Sequence, residues 1–386
     1  MKKISENIVY AGVDDLTLDL FEGQYPIPLG VSYNSYVILD NKIAVMDSVD
    51  KRAGDEWFRN IETILGNRKP DYIIVQHLEP DHSANVEKFA LRYPEARIVC
   101  SVKAAGMIGQ FFESDLSSKI IAVKEGDTLS LGEHNLTFVN APMVHWPEVI
   151  MSYESTTKTL FSADAFGKFG ALCKEDEGDG WACEARRYYF NIVGKYGAQV
   201  QALFKKLSAF GINTICPLHG PILDENLGYY LGLYDTWSQY APETQGVFIA
   251  YASMHGNTKK AAEMLEGMLS DKGVKVAITD LSRCDIAEAV EDAFRYDRMV
   301  LAAPTYDGGL FTKMEEFLLH LEAKGYKNRK VAIIENGSWA PMAAKKMKAH
   351  LETFKDITFF EPVVTIKTTV KQEVVRQLEL LAKNLQ

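Results

Sequence analysis

Cysteine is scarce in this chain, and the few cysteines stand far apart. Its 386 residues include only five, none of them in a C-x-x-C pair: Cys100, Cys173, Cys183, Cys216 and Cys284. An odd number of widely spaced cysteines is no disulfide framework, and the lack of close pairs excludes the usual iron–sulfur and zinc-ribbon patterns. We therefore expect ordinary thiols, as in a cytoplasmic protein.

Long apolar runs and basic runs are missing as well. The longest apolar stretches, such as 72–75 and 299–303, have strand length, whereas a helix that spans a bilayer needs roughly 20 apolar residues. Residues 1–4 include lysines, but no apolar stretch or cleavage site follows, so the sequence predicts no secretory signal and no membrane segment. A net charge of −10 without a basic run argues against a nucleic-acid surface, which must neutralise phosphates.

The chain does contain enough apolar residues for two cores, since 47% of it is hydrophobic and 24% is charged. Its first two-thirds reads as short strands with turns and a few helices, which predicts a strand-rich α+β domain. The predicted strands are 35–39, 43–46, 72–75, 97–100, 119–123, 136–139, 149–153, 159–162 and 214–216.

From residue 246 the pattern changes to a regular alternation of apolar strands and helices. The strand segments 246–251, 274–279, 298–303, 330–334 and 363–366 predict a five-stranded parallel sheet. A polar segment with a proline, 242–245, marks the boundary. We therefore expect two domains, 1–244 and 245–386.

The strongest local pattern is the segment His77-Leu78-Glu79-Pro80-Asp81-His82, which has four potential metal ligands in six positions and follows a predicted strand. Three other candidates also lie just past predicted strands: His145, Asp164 and His219. Adjacent strands can deliver their terminal loops to one rim of a sheet, so these side chains can converge on a metal. A single histidine in a loop is more often unliganded, but half of the eight histidines share this placement.

These segments resemble the H-x-[EH]-x-D-H loop and later ligand segments of the metallo-β-lactamase superfamily, in the form found in flavodiiron proteins. The resemblance extends from residue 30 to the terminal helix. It implies that His77, Glu79 and His145 bind one iron, that Asp81, His82 and His219 serve the other, and that Asp164 bridges them. Glu79 stands where zinc hydrolases have an imidazole, and a hard oxygen ligand favours redox iron. Trp146 and Tyr196 are candidates for lining the pocket.

A second pattern follows the first strand of the later domain, where the segment 253–258 reads S-M-H-G-N-T and precedes a helical run. Hydroxyls, a glycine and a helix N-terminus together suit a phosphate. Loops after the third and fourth strands lie where a doubly wound sheet binds ligands, and the domain resembles flavodoxin. The predicted FMN-binding residues are Ser253, Met254, His255, Gly256, Asn257, Thr258, Pro304, Thr305, Tyr306, Asp307, Gly308, Asn336, Gly337, Ser338 and Trp339.

The two domains have separate roles in this interpretation. Tyr306 or Trp339 is expected to cover the flavin ring, and Thr305 to reach the phosphate or the ring edge. FMN is favoured over a dinucleotide because no G-x-G-x-x-G follows the first strand. The fold class expected is an α+β metallo-β-lactamase-like αββα sandwich followed by an α/β flavodoxin-like doubly wound sheet.

The family resemblance implies an enzyme with FMN and two iron ions that reduces dioxygen to water, nitric oxide to nitrous oxide, or both. It also implies a head-to-tail homodimer or homotetramer. Because no rubredoxin-like C-x-x-C segment is present, the electrons are expected from an external donor such as rubredoxin or a reduced flavin-like cofactor. A zinc hydrolase fused to a flavodoxin domain and a metal-free electron carrier are the alternatives, and metal content distinguishes all three.

Overall fold

Contacts within the chain divide it into two units, Met1–Tyr234 and Asp235–Gln386. The computed structural model describes residues 2–175 and 180–386. The division lies inside the helix Leu227–Ser238, before the boundary expected from the sequence. The domain limits 1–244 and 245–386 therefore remain a prediction.

Two sheets form the body of the first unit. The first sheet has the strand order Ile8–Tyr10, Tyr36–Ile38, Ala44–Met46, Tyr72–Val75, Arg97–Ser101 and Ile120–Val123, and its last four strands are parallel. The second has the order Thr128–Ser130, Asn135–Asn140, Ile150–Glu154, Thr159–Phe161 and Thr214–Cys216, and only its last pair is parallel. All the strands predicted for this part are present, and each end lies within one residue of its predicted position.

The inner faces of these sheets bury apolar side chains against each other. Tyr36, Ile74 and Val99 of the first sheet belong to the same buried cluster as Phe138 and Phe161 of the second. Burial of such alternating side chains is the main favourable contribution to a sandwich of this kind. The helices of this unit are Gly54–Leu65, Pro80–Ser83, Val86–Arg92, Val102–Met107, Trp181–Tyr188, Gly197–Leu207 and Leu227–Ser238. This is the αββα sandwich that the sequence predicts.

Two short ribbons of the first unit were not predicted. Val13–Asp15 pairs with Val31–Tyr33, and Leu20–Phe21 pairs with Tyr25–Pro26. The two-residue strands are too short to show a pattern, and the three-residue strands V-D-D and V-S-Y lack the consecutive apolar residues that identified other short strands.

The second unit is a doubly wound sheet with parallel neighbours along its main path. Its order is Val276–Asp280, Thr244–Tyr251, Tyr296–Tyr306, Lys327–Asn336 and Lys355–Phe359, with Val364–Ile366 also paired to the fourth of these and Gly309–Leu310 antiparallel to the third. The predicted five parallel strands are confirmed, but the edge position is shared by two strands. Pro362 separates them, because a proline has no N–H to donate to a ladder.

Helices cover both faces of this sheet, which explains why the buried parts of its central strands are continuous apolar runs. Val247 and Ile249 of the first strand lie in one buried cluster with Leu265 of the first helix and Leu378 of the last. The helices are Asn257–Ser270, Ile286–Arg295, Thr312–Ala323, Ala343–Leu351 and Gln372–Asn384. Among the helices in the described part of the chain, none combines the length and hydropathy that crossing a bilayer requires.

Candidate functional sites

Strand ends of both sheets of the first unit deliver the candidate metal ligands. Backbone hydrogen bonds join the strand ends, since the Ile150 N–H donates to the Gln76 carbonyl at 3.0 Å and the Leu218 N–H donates to the Ala163 carbonyl at 2.9 Å. The candidate ligands are His77 and Glu79 after Tyr72–Val75, Asp81 and His82 on the helical turn Pro80–Ser83, His145 after Asn135–Asn140, Asp164 after Thr159–Phe161, and His219 after Thr214–Cys216.

All seven side chains come together in two groups. Donor atoms within each group lie within 4.8 Å of one another, and the groups are His77, Glu79, His145 and Asp164, and Asp81, His82 and His219. In the first group, Glu79 Oε2 is 2.9 Å from His145 Nε2 and 3.1 Å from His77 Nε2. In the second, Asp81 Oδ2 is 3.2 Å from His219 Nε2 and 3.3 Å from His82 Nε2.

Asp164 lies between these groups and presents one oxygen to each. Its Oδ2 is 3.0 Å from His145 Nε2 and 3.4 Å from His77 Nε2. Its Oδ1 is 3.1 Å from His82 Nε2 and 3.8 Å from His219 Nε2. A carboxylate in this position can bridge two cations.

Buried polar atoms in this cluster lack the hydrogen bonds that such atoms normally make. In residues 2–175 and 180–386, no hydrogen bond reaches either carboxylate oxygen of Asp81 or Asp164, either ring nitrogen of His82, or His219 Nε2. A buried polar group without a partner costs free energy, and a cation removes that cost. The mixture of imidazole and carboxylate donors suits iron, so the residues present fit a pair of iron ions.

The titration behaviour of the cluster also indicates a demand for positive charge. Burial lowers the pKa of His145, but the nearby Asp164 and Glu79 carboxylates outweigh it and raise this pKa to about 9. Burial raises the pKa of Asp164, yet the charge of His82 and the close contact with His145 hold it well below its usual range. In the metal-free chain, protonated imidazoles therefore balance the negative charge of the carboxylates, and metal ions take over that role when they bind.

Hydrogen bonds outside the cluster orient two of the imidazoles. His77 Nδ1 is 2.7 Å from Glu148 Oε1, and His219 Nδ1 is 2.7 Å from the carbonyl oxygen of Ser32. When Nδ1 donates to these oxygens, the Nε2 lone pair is left for the cluster. Neither partner was predicted, because each is brought to its histidine by packing between distant segments.

The loop that carries His219 is fixed by residues of the segment 32–36. The Asn34 side chain donates to the carbonyls of Pro217 and Gly220, both at 2.8 Å, and the Tyr36 hydroxyl donates to Pro217 O at 2.6 Å. Gly167 permits the close approach of the Asp164 loop, because a β-carbon there would lie 2.9 Å from the Asp164 carbonyl oxygen. The backbone thus positions His219 before any metal binds.

Aromatic rings surround the cluster. The Trp146 ring packs edge-on against His77 with 5.2 Å between centroids. Tyr188 is buried with its ring 5.6 Å from that of His219, and its hydroxyl has no hydrogen-bond partner among the described residues. Burial raises the pKa of Tyr188 well above its usual value, and the charge of Asp164 adds to this. Tyr196 is instead partly exposed, whereas Tyr188 is a buried tyrosine beside the cluster.

The predicted phosphate loop of the second unit begins the helix Asn257–Ser270. Gly256 precedes this helix with φ +84°, in the left-handed region that favours glycine. The Gly256 N–H donates to Ser253 Oγ at 3.1 Å, and Thr258 is buried at the start of the helix. The backbone N–H groups of a helix N-terminus suit a phosphate.

A cavity of about 460 Å³ opens beside this loop, within the size range of small-molecule sites. It lies where the strand order reverses, which is the usual ligand position in such sheets. All the predicted FMN-binding residues except Gly256 line it, and Ala340 and Thr368 line it as well. Thr368 follows the strand Val364–Ile366, so the strand-end rule that located the other loops applies to it too.

Three side chains of the candidate flavin site differ in their contacts and exposure. The Thr305 hydroxyl accepts the N–H groups of Met342 and Ala343 at 2.8 and 3.1 Å, so it caps the helix Ala343–Leu351. Trp339 is 93% exposed and Tyr306 is 45% exposed, which leaves both rings free to cover a flat ligand.

A second cavity, of about 560 Å³, lies in the first unit beside the loop 140–149. Ser101, Lys103, Lys124 and Glu148 are among its lining residues, but the seven candidate ligands are not. This cavity is therefore distinct from the cluster, and Glu148, which lines the cavity, also contacts His77 of the cluster.

Two family models match the chain. The ODP family beta lactamase model matches residues 31–220, and the Flavodoxin domain model matches residues 248–369. The first range contains all the candidate metal ligands, and the second contains all the candidate flavin residues.

Similar proteins agree with these matches. The anaerobic nitric oxide reductase flavorubredoxin of Vibrio vulnificus is 28% identical over 378 residues, which cover 95% of this chain and 75% of that protein. The rubredoxin oxygen:oxidoreductase structure from Desulfovibrio gigas matches with a TM-score of 0.90 and 24% identity, over 100% of this chain and 97% of that chain. The flavodiiron protein structure from Giardia intestinalis matches with a TM-score of 0.89 and 23% identity, over 100% and 95%.

Proposed function

Since the chain is a metallo-β-lactamase-like domain followed by a flavodoxin domain and fits a flavodiiron protein, we propose that it reduces dioxygen, nitric oxide or both at a di-iron site with electrons from FMN. The chain is an oxidoreductase, as the similar nitric oxide reductase and oxygen oxidoreductase are. The flavodoxin domain binds FMN, and flavodiiron proteins carry a di-iron site.

The position of Asp164 is the observation that carries the proposal. Its two carboxylate oxygens face different groups of imidazoles, and no hydrogen bond from the described residues satisfies either of them. In this proposal His77, Glu79 and His145 hold one iron, Asp81, His82 and His219 hold the other, and Asp164 bridges the pair. Bound iron supplies one-electron redox chemistry at open coordination positions.

The surrounding side chains have separate tasks in this proposal. Trp146 packs against His77 and restricts the approach of water to the cluster. The Tyr188 hydroxyl has no other partner among the described residues, so it is available to donate a hydrogen bond to a substrate oxygen. Because burial raises the pKa of Tyr188, its hydroxyl keeps its proton at physiological pH, as a hydrogen-bond donor must.

The second unit provides the electrons. FMN supplies chemistry that accepts electrons in pairs and releases them singly. We propose that the loop 253–258 binds its phosphate, that Tyr306 and Trp339 cover its ring, and that Asn336 and the neighbouring loop residues hold its polar edge. A cavity that accepts a flavin is not needed by a zinc hydrolase, and Glu79 supplies an oxygen where such hydrolases place an imidazole.

The electron donor is proposed to be rubredoxin or a reduced flavin-like cofactor, since the relatives named above are a flavorubredoxin and a rubredoxin oxidoreductase. A cytoplasmic location also remains part of the proposal, and it agrees with the small number and wide spacing of the cysteines in the sequence.

The decisive experiment counts metals and then measures gas consumption. Anaerobically purified protein is expected to contain about two irons per chain and one FMN, and to consume dioxygen or nitric oxide when chemically reduced. H145A should lose iron and activity. H134A is the matched control, because His134 is another buried histidine of this unit, 3.1 Å from Glu154 and outside the cluster. Stoichiometric zinc without gas consumption would refute the proposal.

The proposed head-to-tail dimer is tested by mixing two inactive variants. One lacks iron (D164A), and the other lacks FMN because its phosphate loop is altered (S253A/T258V). If the flavin of one subunit serves the iron of its partner, dissociation and reassembly of the mixture restores about a quarter of wild-type activity, because half of the dimers are mixed and each has one working pair. Transfer within one chain predicts no recovery at all.

A further inference from the structure

Glu148 lies directly behind His77, on the side away from the metal cluster. Its side chain is fully buried, and its Oε1 is 2.7 Å from His77 Nδ1. The same oxygen accepts the Leu78 N–H at 3.0 Å, and the Ser101 hydroxyl donates to the Glu148 carbonyl at 2.7 Å. Within residues 2–175 and 180–386, its Oε2 has no hydrogen-bond partner.

This contact determines which nitrogen of His77 faces the cluster with a lone pair. A carboxylate oxygen at 2.7 Å only accepts hydrogen bonds, so Nδ1 must be the nitrogen that donates. Nε2 then presents its lone pair toward Glu79 Oε2 at 3.1 Å and Asp164 Oδ2 at 3.4 Å. Several lone pairs directed at one point require a cation at that point.

The two groups of the cluster differ in this outer support. His219, in the other group, has the neutral carbonyl of Ser32 behind its Nδ1 at 2.7 Å, where His77 has a charged carboxylate. A carboxylate that accepts the Nδ1–H bond makes the imidazole a stronger electron donor to a metal at Nε2 than a neutral carbonyl does. The stronger donor stabilises the more highly charged state of the metal it binds.

We propose that Glu148 is a positioning residue that fixes the tautomer of His77 and makes the metal held by His77, Glu79 and His145 harder to reduce than its neighbour. The inference rests on the proposed di-iron function, which it extends by giving the two irons unequal roles. Without such a charge behind it, the group of Asp81, His82 and His219 would hold the metal that is easier to reduce.

A purely structural role for Glu148 is the competing explanation, since Glu148 also holds the backbone at Leu78. Two variants separate these roles. E148Q keeps an oxygen that accepts from both Nδ1 and the Leu78 N–H but removes the charge, whereas E148A removes both. E154Q is the matched control, because Glu154 is also fully buried, lies on the strand that starts two residues after Glu148, and is 3.1 Å from a histidine that holds no metal.

The first measurement titrates the metal-free full-length chain with Co²⁺ and follows the absorption of the bound ion. Wild-type protein is expected to show two binding events. E148A should weaken one of them by about 10–100-fold and leave the other unchanged, as found when outer partners of metal ligands are removed. E154Q should leave both events unchanged.

The second measurement is a redox titration of the iron-loaded chain. If loss of the charge weakens binding of the oxidised ion tenfold more than that of the reduced ion, the potential of one iron in E148Q rises by about 59 mV. E154Q should keep both wild-type potentials. A structural role alone does not move a potential while both irons remain bound.

The outcomes separate this proposal from the proposed function. Equal weakening of both Co²⁺ events in E148A, or unchanged potentials in E148Q, would overturn the role of Glu148. If E148Q does not fold, E148D replaces it, because aspartate keeps the charge but is too short to reach His77. Two Co²⁺ binding events that are both as tight in E148D as in wild type would then overturn the role. A wild-type chain that binds two Co²⁺ ions and consumes neither gas refutes the gas reductase, while the comparison of variants still decides the role of Glu148. A wild-type chain that binds no Co²⁺ overturns both.

Discussion

Replacing Gly256 by alanine tests the flavin loop with a single methyl group. Gly256 has φ +84° and ψ −10°, and nothing lies within 4 Å of a β-carbon placed there. Alanine at this position is therefore disfavoured by its backbone conformation rather than by a clash, and the free-energy cost is about 1–2 kcal/mol for an L-residue in the left-handed region. Because the loop is exposed, the flavin-free G256A loop can relax, and the strain then appears only on binding. The Kd for FMN is expected to rise by about 5–30-fold.

The same helix contains its own control. Gly267 lies inside Asn257–Ser270 without a positive φ, and a β-carbon at this position would likewise have nothing within 4 Å. G267A should raise the free energy of unfolding of this unit by about 0.5–1 kcal/mol, since glycine is a poor helix former, and leave FMN binding unchanged. G256N should fall between wild type and G256A, because asparagine tolerates the left-handed region better than alanine does.

The assay titrates deflavinated full-length protein with FMN and follows the quenching of flavin fluorescence, with thermal unfolding measured in parallel. The reasoning is refuted if G256A binds FMN as tightly as wild type. It is also refuted if G256N binds FMN more weakly than G256A, because a steric conflict rather than backbone strain would then set the affinity.

Three further predictions concern both units. Y188F should lower turnover by about 3–10-fold at unchanged iron content, because it removes one hydrogen bond to the substrate, whereas Y196F should have wild-type turnover. The raised pKa of His145, about 9, means that protonation stabilises the metal-free fold fully below about pH 6.5 and that this contribution is lost as the pH rises toward 9. The melting temperature without metal should fall over that window while the stabilisation by Co²⁺ grows, and melts at several pH values with and without Co²⁺ check both. R329M should lower the free energy of unfolding by at least about 3 kcal/mol, since the buried Arg329 guanidinium donates to the carbonyls of Tyr240 and Tyr296 at 2.6 and 2.9 Å. Denaturant unfolding measures this loss, and R329K should recover only part of it. Wild-type stability in R329M, or a melting temperature without metal that is independent of pH, would contradict the corresponding argument.

The candidate metal ligands could be predicted from the sequence because they obey one local rule, a polar residue just past an apolar strand. The same rule located the flavin loops, and it applies to Thr368. By contrast, Glu148 and Ser32 act on histidines far away in sequence, and only the packing of the two sheets brings them together. No periodic pattern records such a contact.

Errors in the fold prediction also have local causes. The edge strand Lys355–Phe359 was missed because its residues are mostly exposed and polar, so they lack the apolar run that identified its neighbours. The sequence indicated Tyr196 as a candidate for lining the pocket and gave no sign of Tyr188, whose buried ring lies 5.6 Å from that of His219. The helix Trp181–Tyr188 has aromatic and charged residues on several sides, so its sequence does not say which side faces the cluster.

The distribution of the ligands over both sheets has a consequence for how the protein is made. The second sheet receives its last strand, Thr214–Cys216, only after almost the whole first unit has left the ribosome, and His219 arrives with that strand. Until then Asp81 and His82 have no third ligand in their group. We expect iron to bind after this unit has been synthesised and to stabilise the position of its final strand. In iron-starved cells, newly made chains should therefore be the ones most readily degraded by proteases.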